Sequence, residues 1–362
     1  MMKMIRGRFP VALLVMLALS APCLAQWEIP AREGNAGSAV RVGFLAQLRA
    51  EALDTSDGPE VAKDLFLRRL RLMAGGKIND RLSFFLETDS PNLGKGGRYG
   101  KKGASDIFLQ DIFVSFAATD ELYIETGMLL PHLSYNHNQS ATSLLPGEYG
   151  PFSFTESGPI DARVGRDYGV QARGYLGENH FEYRIGVYQG YRGEDSTHPL
   201  RVTARVQWSA LDTLRGMFYP GPTLGKKHLL VIGASYDTQD DYHAHSASLF
   251  YDHPLAKRGA VSFLAEYIFR DGNQFLKTLP EHTTWLFEGS WYFASKRIGP
   301  YFEYAMRDNA DAGIADEERS LIGVCWWIKG QRLNLRAALR RLERDGFPSR
   351  DQIMIQLQVM TY

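Results

Sequence analysis

From residue 38 onward, apolar and polar positions alternate with a period of two, the spacing of a β-strand with one face in each environment. Val40, Val42, Phe44, Ala46, Leu48 and Ala50 take one phase, and Arg41, Gly43, Leu45, Gln47, Arg49 and Glu51 the other. Phe181, Tyr183, Ile185 and Val187 oppose Glu182, Arg184, Gly186 and Tyr188. Val202, Ala204, Val206 and Trp208 oppose Arg201, Thr203, Arg205 and Gln207. Near the end, Ile353, Ile355, Leu357 and Val359 oppose Gln352, Met354, Gln356 and Gln358. About sixteen such segments fit a span of roughly ten residues each. They are predicted near 39–53, 63–77, 80–90, 105–118, 121–129, 167–176, 180–190, 200–209, 227–237, 243–252, 258–271, 281–294, 297–307, 317–329, 331–343 and 351–362. The segments 63–77, 227–237 and 317–329 alternate poorly, so the pattern does not settle which of their residues share a face.

The connections have their own rhythm. Ile78-Asn79, Thr119-Asp120, Gly177-Glu178-Asn179, Ser295-Lys296 and Gly330 are tight turns. Between them fall longer polar stretches at 54–62, 91–104, 130–166, 191–199, 272–280, 308–316 and 344–350. Short turns at one end of the strands and long loops at the other are what a membrane β-barrel requires, and a soluble sandwich does not. The fold class predicted is therefore all-β: a transmembrane antiparallel barrel of about 16 strands over residues 39–362, both termini on the periplasmic side. Closure leaves no unpaired edge in lipid. The connection 210–226 is too long for its place on the short-turn side, and the pattern offers no reason for it.

Composition narrows the compartment. Lys3, Arg6 and Arg8 precede an apolar run from Val11 to Leu19 and then Ser20-Ala21-Pro22-Cys23-Leu24-Ala25. This is the form of a cleaved secretory signal peptide, residues 1–25, with 26–38 as a short, loosely ordered extension. Cys23 raises lipidation as an alternative, to which Pro22 directly before it is a poor fit. No later run reaches the roughly 18 apolar residues of a membrane-crossing helix. Without Lys3, Arg6 and Arg8 the 41 basic residues fall to 38 against 41 acidic ones, a net charge of −3, which points away from nucleic acid as a partner. A mature chain would keep only Cys325, so no intrachain disulfide is expected. Tyr362 ends the chain off the outward phase of its strand, a mismatch that a small bulge would repair.

Candidate chemistry lies on the polar phases. Arg41, Arg49, Arg173, Arg184, Arg201, Arg205, Arg336 and Arg340 occupy them, with Arg69, Arg71 and Arg81 assigned there too, and Arg163 and Arg166 close the longest loop. Guanidinium groups stay charged and offer forked donors suited to anions, and a pore selects by its width and lining charge. Glu51, Glu87, Asp89, Glu125, Glu182, Glu266, Glu288 and Glu303 share the same phases, so cross-strand pairing is the competing use of these arginines. His132 and His137 with Glu148, and His243 with His245, match no metal-ligand spacing, and neither metal nor cofactor is expected. No spacing suggests a Ser–His–acid constellation, so no catalytic residue is assigned. Trp208, Trp285, Trp291, Trp326 and Trp327 are candidates for the aromatic girdles at the two interfaces.

Several stretches in order carry a family likeness: Phe66-Leu67-Arg68-Arg69-Leu70-Arg71-Leu72, then Gly76-Lys77-Ile78, Asp80-Arg81 and Leu82-Ser83-Phe84. Leu109-Gln110-Asp111-Ile112-Phe113-Val114 and Glu125-Thr126-Gly127-Met128 follow. Gly165-Arg166-Asp167-Tyr168-Gly169-Val170-Gln171 and Glu182-Tyr183-Arg184-Ile185-Gly186-Val187-Tyr188-Gln189-Gly190 complete the set. In this order the chain resembles the phosphate-selective porin O and P family. The resemblance implies a sixteen-stranded outer-membrane barrel of a Gram-negative bacterium, usually a homotrimer, that passes small anions such as phosphate or polyphosphate along basic side chains. It also implies that the loop after the fifth strand, here 130–166, folds inward. The near balance of inward acids and arginines favours a general or mildly anion-preferring pore over a dedicated phosphate channel. A non-conducting structural barrel and an outer-membrane hydrolase remain the alternatives.

Overall fold

The computed structural model describes residues 27–30, 39–55, 60–97, 100–102, 107–194 and 196–362; the signal peptide expected at 1–25 lies outside them. Sixteen long strands follow one another: β1 Ala39–Asp54, β2 Val61–Lys77, β3 Leu82–Asp89, β4 Phe108–Ala117, β5 Leu122–Leu129, β6 Asp167–Leu176, β7 Phe181–Tyr188 and β8 Arg201–Ser209. Then come β9 Leu229–Gln239, β10 Tyr242–Pro254, β11 Ala260–Asp271, β12 His282–Tyr292, β13 Ile298–Asn309, β14 Glu317–Trp326, β15 Leu333–Arg344 and β16 Phe347–Met360. Each pairs antiparallel with the next, and β16 pairs with β1 from Leu45↔Met360 to Leu53↔Gln352, closing the barrel. No helix among these residues is long and apolar enough to cross a membrane.

The alternation read from the sequence maps onto the wall. Ile185, Val187, Val202, Val206 and Trp208 are exposed on the outside, whereas Arg184, Arg201, Arg205 and Gln207 are buried inside. The poor alternation of 63–77 has a local cause. Gln47 faces Arg69 but Leu48 faces Leu67, so Arg68 is the extra residue of a β-bulge and the phase of β2 changes there. A second register shift in the β3–β4 pair sets Glu87 against Asp111 and Thr88 against Leu109, leaving Gln110 over.

Three expectations change. The loop placed at 344–350 is a tight turn at Asp345-Gly346, with β16 already begun at Phe347; Gly346 at φ 76° supplies the backbone conformation. Within 26–38, Trp27–Pro30 forms a strand along Ala39–Val42 of β1, beside which β16 has already ended. β1 and β16 pair without a register shift, so no bulge repairs the parity of Tyr362. Its backbone lies against Gly43 and its hydroxyl against Gly75, both on the inward phase, with its ring 5.9 Å from Phe85. The terminal aromatic therefore closes over the lumen side of the barrel. Trp208, Trp285 and Trp291 do face outward, but Trp327 is buried against Tyr292.

Candidate constriction and anion path

Loop 130–166 leaves β5 at the long-loop end, and residues 131–139 are all buried. Its first turn is tied to β11, where Glu266 accepts from the Asn136 amide at 2.6 Å and from Ser134 Oγ at 3.0 Å. Arg270, four residues further along the same face of β11, pairs with Glu156 at 2.9 Å and donates to the Ser153 carbonyl at 2.8 Å. Burial would raise Glu156, but Arg270 and His137 bring it down to about 2. The far side of the loop is tied to the opposite wall. Arg336 donates to the carbonyls of Leu144 and Leu145, each at 3.2 Å, and Arg69 to that of Gly147 at 2.8 Å. Gly147 has φ 78°, and a Cβ there would meet Gln356 Nε2 at 2.5 Å, so the loop tip is seated on glycine.

Next to it stands Glu148. Arg49, Arg68 and Arg340 all reach its carboxylate, at 2.5, 2.7 and 2.9 Å. Burial alone would push this acid up, but the three guanidinium groups hold it well below the usual carboxylate range. Beside this group, Glu317 is approached by Arg307 at 3.0 Å, Arg319 at 3.7 Å and Arg344 at 3.9 Å. The guanidinium groups of Arg307 and Arg319 also stand 5.3 Å from the ring of Phe152 in the loop. Along β13, β14, β15, β1 and β2, six arginines thus meet two glutamates.

The long connection 210–226 also enters the lumen, from the opposite mouth, and this is the reason for its length. Its Tyr219 amide donates to Asn138 and its carbonyl accepts from Ser140, both at 2.9 Å, a parallel bridge with loop 130–166. The Tyr219 ring stacks 4.9 Å from Tyr135, which stacks 4.6 Å from Phe250. Tyr219 Oη donates to Glu182 at 3.0 Å and accepts from Arg205 Nε at 3.2 Å. Arg184 donates to the carbonyls of Met217 and Gly216 at 2.8 and 2.9 Å. The two inward segments brace each other across the barrel.

This arrangement sorts the thirteen candidate arginines. Arg71 pairs with Glu87 and Asp89, Arg166 with Asp111, Arg173 with Glu125, Arg184 with Glu182, and Arg201 with Asp237. All five are buried, Arg184 with a neighbour on its own strand and the other four in cross-strand or loop-to-wall pairs. Arg69, Arg205 and Arg336 make no ion pair among the described residues and instead bond neutral groups of the wall and of the inward segments. Arg41 sits at the short-turn end of β1, Arg81 on the exposed turn after β2, and Arg163 is exposed with its guanidinium 4.7 Å from the Phe108 ring. Only Arg49 and Arg340 of the thirteen join the basic wall. Arg68, Arg307, Arg319 and Arg344 were not singled out by the alternation: a bulge turns Arg68 inward, and the other three lie at strand ends. His132 bonds Asn138 at 2.8 Å and His137 bonds Glu156 at 3.2 Å, while His243 and His245 face outward against Phe269. No cluster of three or more potential metal ligands occurs among the described residues.

The comparisons agree with this geometry. Residues 40–217 match the family model of phosphate-selective porin O and P. No curated protein is similar in sequence. Among solved structures, an anion-selective porin from Comamonas acidovorans is 13% identical, with TM-score 0.62 over 89% of this chain and 99% of that one. OmpF of Salmonella typhi, in complex with daunomycin, is 12% identical, with TM-score 0.59 over 92% and 100%. In-vitro folded OmpT of Vibrio cholerae, in a trimer form, is 11% identical, with TM-score 0.53 over 89% and 99%. With a closed sixteen-stranded barrel, a loop folded inward after the fifth strand and the match over residues 40–217, the chain is an outer-membrane porin that resembles the phosphate-selective porin O and P family and passes small hydrophilic solutes by diffusion.

Proposed function

We propose that this porin prefers small anions, inorganic phosphate among them, and that it works as a homotrimer. The observation that carries the preference is the ratio on one wall of the lumen: Arg49, Arg68 and Arg340 on Glu148, and Arg307, Arg319 and Arg344 on Glu317. Even with Glu303, buried on the same face of β13, counted beside Glu148 and Glu317, six arginines against three carboxylates leave this wall with a net positive charge although the chain as a whole is nearly neutral. Arg319 keeps a third of its side-chain surface exposed, so its charge is available to a solute. Charge confined to a narrow lumen acts on a passing ion far more than the same charge on an open surface. The other candidate arginines, Arg69, Arg71, Arg166, Arg173, Arg184, Arg201, Arg205 and Arg336, act in this reading by holding the wall and the inward segments in place, and Arg41, Arg81 and Arg163 mark the mouths. The family and the fold are those of non-enzymatic channels, and we assign no reaction.

The trimer reading rests on the trimeric neighbour and on the family resemblance. Single-channel conductance in a planar bilayer with a salt gradient tests the preference. The expected result is discrete steps, in groups of three, with a reversal potential on the anion side and block by millimolar phosphate. Steps with cation selectivity would overturn the anion reading, and steps without phosphate block would remove phosphate from it.

A further inference from the structure

The short turns at the periplasmic rim divide by charge. The turns 255–259, 293–297 and 327–332 carry Lys257, Arg258, Lys296, Arg297, Lys329 and Arg332 and no acid. All six are exposed, and none forms an ion pair among the described residues. The turns 78–81, 118–121 and 177–180 instead carry Asp80, Asp120, Glu121 and Glu178 against the one cation Arg81. The first three turns therefore form a basic stretch of the rim and the other three an acidic one.

Beneath the basic stretch the outer wall is hollowed. An apolar groove of about 830 Å³ runs across β11 to β16. The register places its floor and walls: Phe263 faces Gly289, which faces Phe302, while Pro300 faces Val324, which faces Ala337. The Phe302 ring lies across Gly289, where a Cβ would come within 2.4 Å of it, and Pro300 and Ala337 raise no long side chain. Trp291 flanks the rim end of the groove and stacks 5.4 Å from Phe293 in the turn 293–297.

We propose that this groove and the basic turns above it hold one anionic diacyl phospholipid of the periplasmic leaflet, its acyl chains in the groove and its phosphate among Lys257, Arg258, Lys296 and Arg297. Charge complementarity selects the occupant. An apolar trough alone fits any lipid or a second copy of the chain, but unpaired cations at the headgroup level favour an anion there, by roughly fivefold in affinity for each Lys or Arg near the surface. A second copy would bring its own acidic stretch of rim against the groove only by covering the cations as well. The proposal is independent of what passes through the lumen.

Native mass spectrometry of the full barrel in neutral detergent tests it, with phosphatidylglycerol and phosphatidylcholine of the same acyl chains as probes. Phosphatidylglycerol is expected to bind at least about tenfold tighter. The variant K257Q/R258Q/K296Q/R297Q should lose that preference, Ala337→Trp should weaken both lipids, and Arg81→Gln on the acidic stretch should change neither. Should the fourfold variant not fold, brominated phosphatidylglycerol must quench Trp291 fluorescence in the unaltered barrel more than brominated phosphatidylcholine does. Equal binding of the two lipids, a preference that survives the fourfold variant, or lipid that binds monomer but is excluded from the oligomer would overturn the proposal; the last result would assign the groove to a second copy.

Discussion

Glu148 is the residue on which the electrostatics of the lumen turn. One carboxylate is shared by three guanidinium groups, so Glu148→Gln removes the negative charge that all three contact and leaves them without their ion-pair partner. The anion-to-cation permeability ratio read from reversal potentials is expected to rise severalfold, and a fall would contradict the placement of this group beside the solute path. The same acid sets a pH response. Its folded pKa lies below its unfolded one, so its hold on the loop is complete above the unfolded carboxylate range and is lost only as pH falls through the depressed folded value. The difference in conductance between the unaltered barrel and Glu148→Gln should therefore stay level from pH 7 down through 4.5, and loss of that difference near 4.5 would show the acid to be unpaired. A different kind of residue governs closure. At Gly43 a Cβ would stand 2.9 Å from the Tyr362 backbone, which cannot rotate away. Gly43→Ala is expected to cost about 1–3 kcal/mol, seen as a lower unfolding temperature by heat-dependent gel mobility.

At the scale of elements, the two inward segments matter more than any strand. Loop 130–166 was legible as a candidate constriction because of its length. The segment 210–226 was legible only as an anomaly, since a sequence shows that a turn is too long but not where the excess goes. Its destination depends on Tyr219, which stacks on Tyr135 and bonds Glu182 and Arg205. Tyr219→Ala removes a buried ring and leaves two charged groups short of a partner, about 3–5 kcal/mol by analogy with other large-to-small core changes. The barrel should still form, because the strand ladders do not include this residue. The segment should loosen, giving larger or noisier single-channel steps, and unchanged steps would mean that 210–226 does not narrow the path. The β2 bulge belongs to this scale as well. The run Leu67-Arg68-Arg69-Leu70 gives no strict alternation, and only pairing with β1 decides that Arg68 is the extra residue and joins Arg69 on the lumen side.

For the whole molecule, burial inside a closed wall makes a chemical prediction. Cys325 is fully buried on the inward phase of β14 among Tyr301, Leu321 and Trp327. It should resist a thiol reagent in the folded barrel and react within minutes after denaturation. Rapid labelling of folded protein would mean that β13–β15 open or that the lumen there is wider than the packing shows. Closure also explains why so many charges are buried. A sixteen-stranded wall that receives two segments of chain must satisfy their backbone groups and its own inward charges internally, and here arginine–carboxylate pairs and arginine–carbonyl bonds do so.

The sequence by itself determined the barrel. Period-two alternation, a C-terminal outward set of Ile353, Ile355, Leu357 and Val359, and alternating short and long connections follow from having lipid on one side of a strand and water or protein on the other, so each strand records its two environments locally. That record fails where the inside of the barrel is not water. The alternation marked Arg184, Arg205 and Arg336 as equals of Arg49 and Arg340, yet the first three hold inward segments and the last two join the basic wall. Which arginine meets which acid depends on partners up to 192 residues away, as in Arg340 and Glu148. Such pairings are settled by closure of the sheet, the bulge at Arg68 and the depth to which two connections enter the lumen, and none of these leaves a periodic signature in the chain.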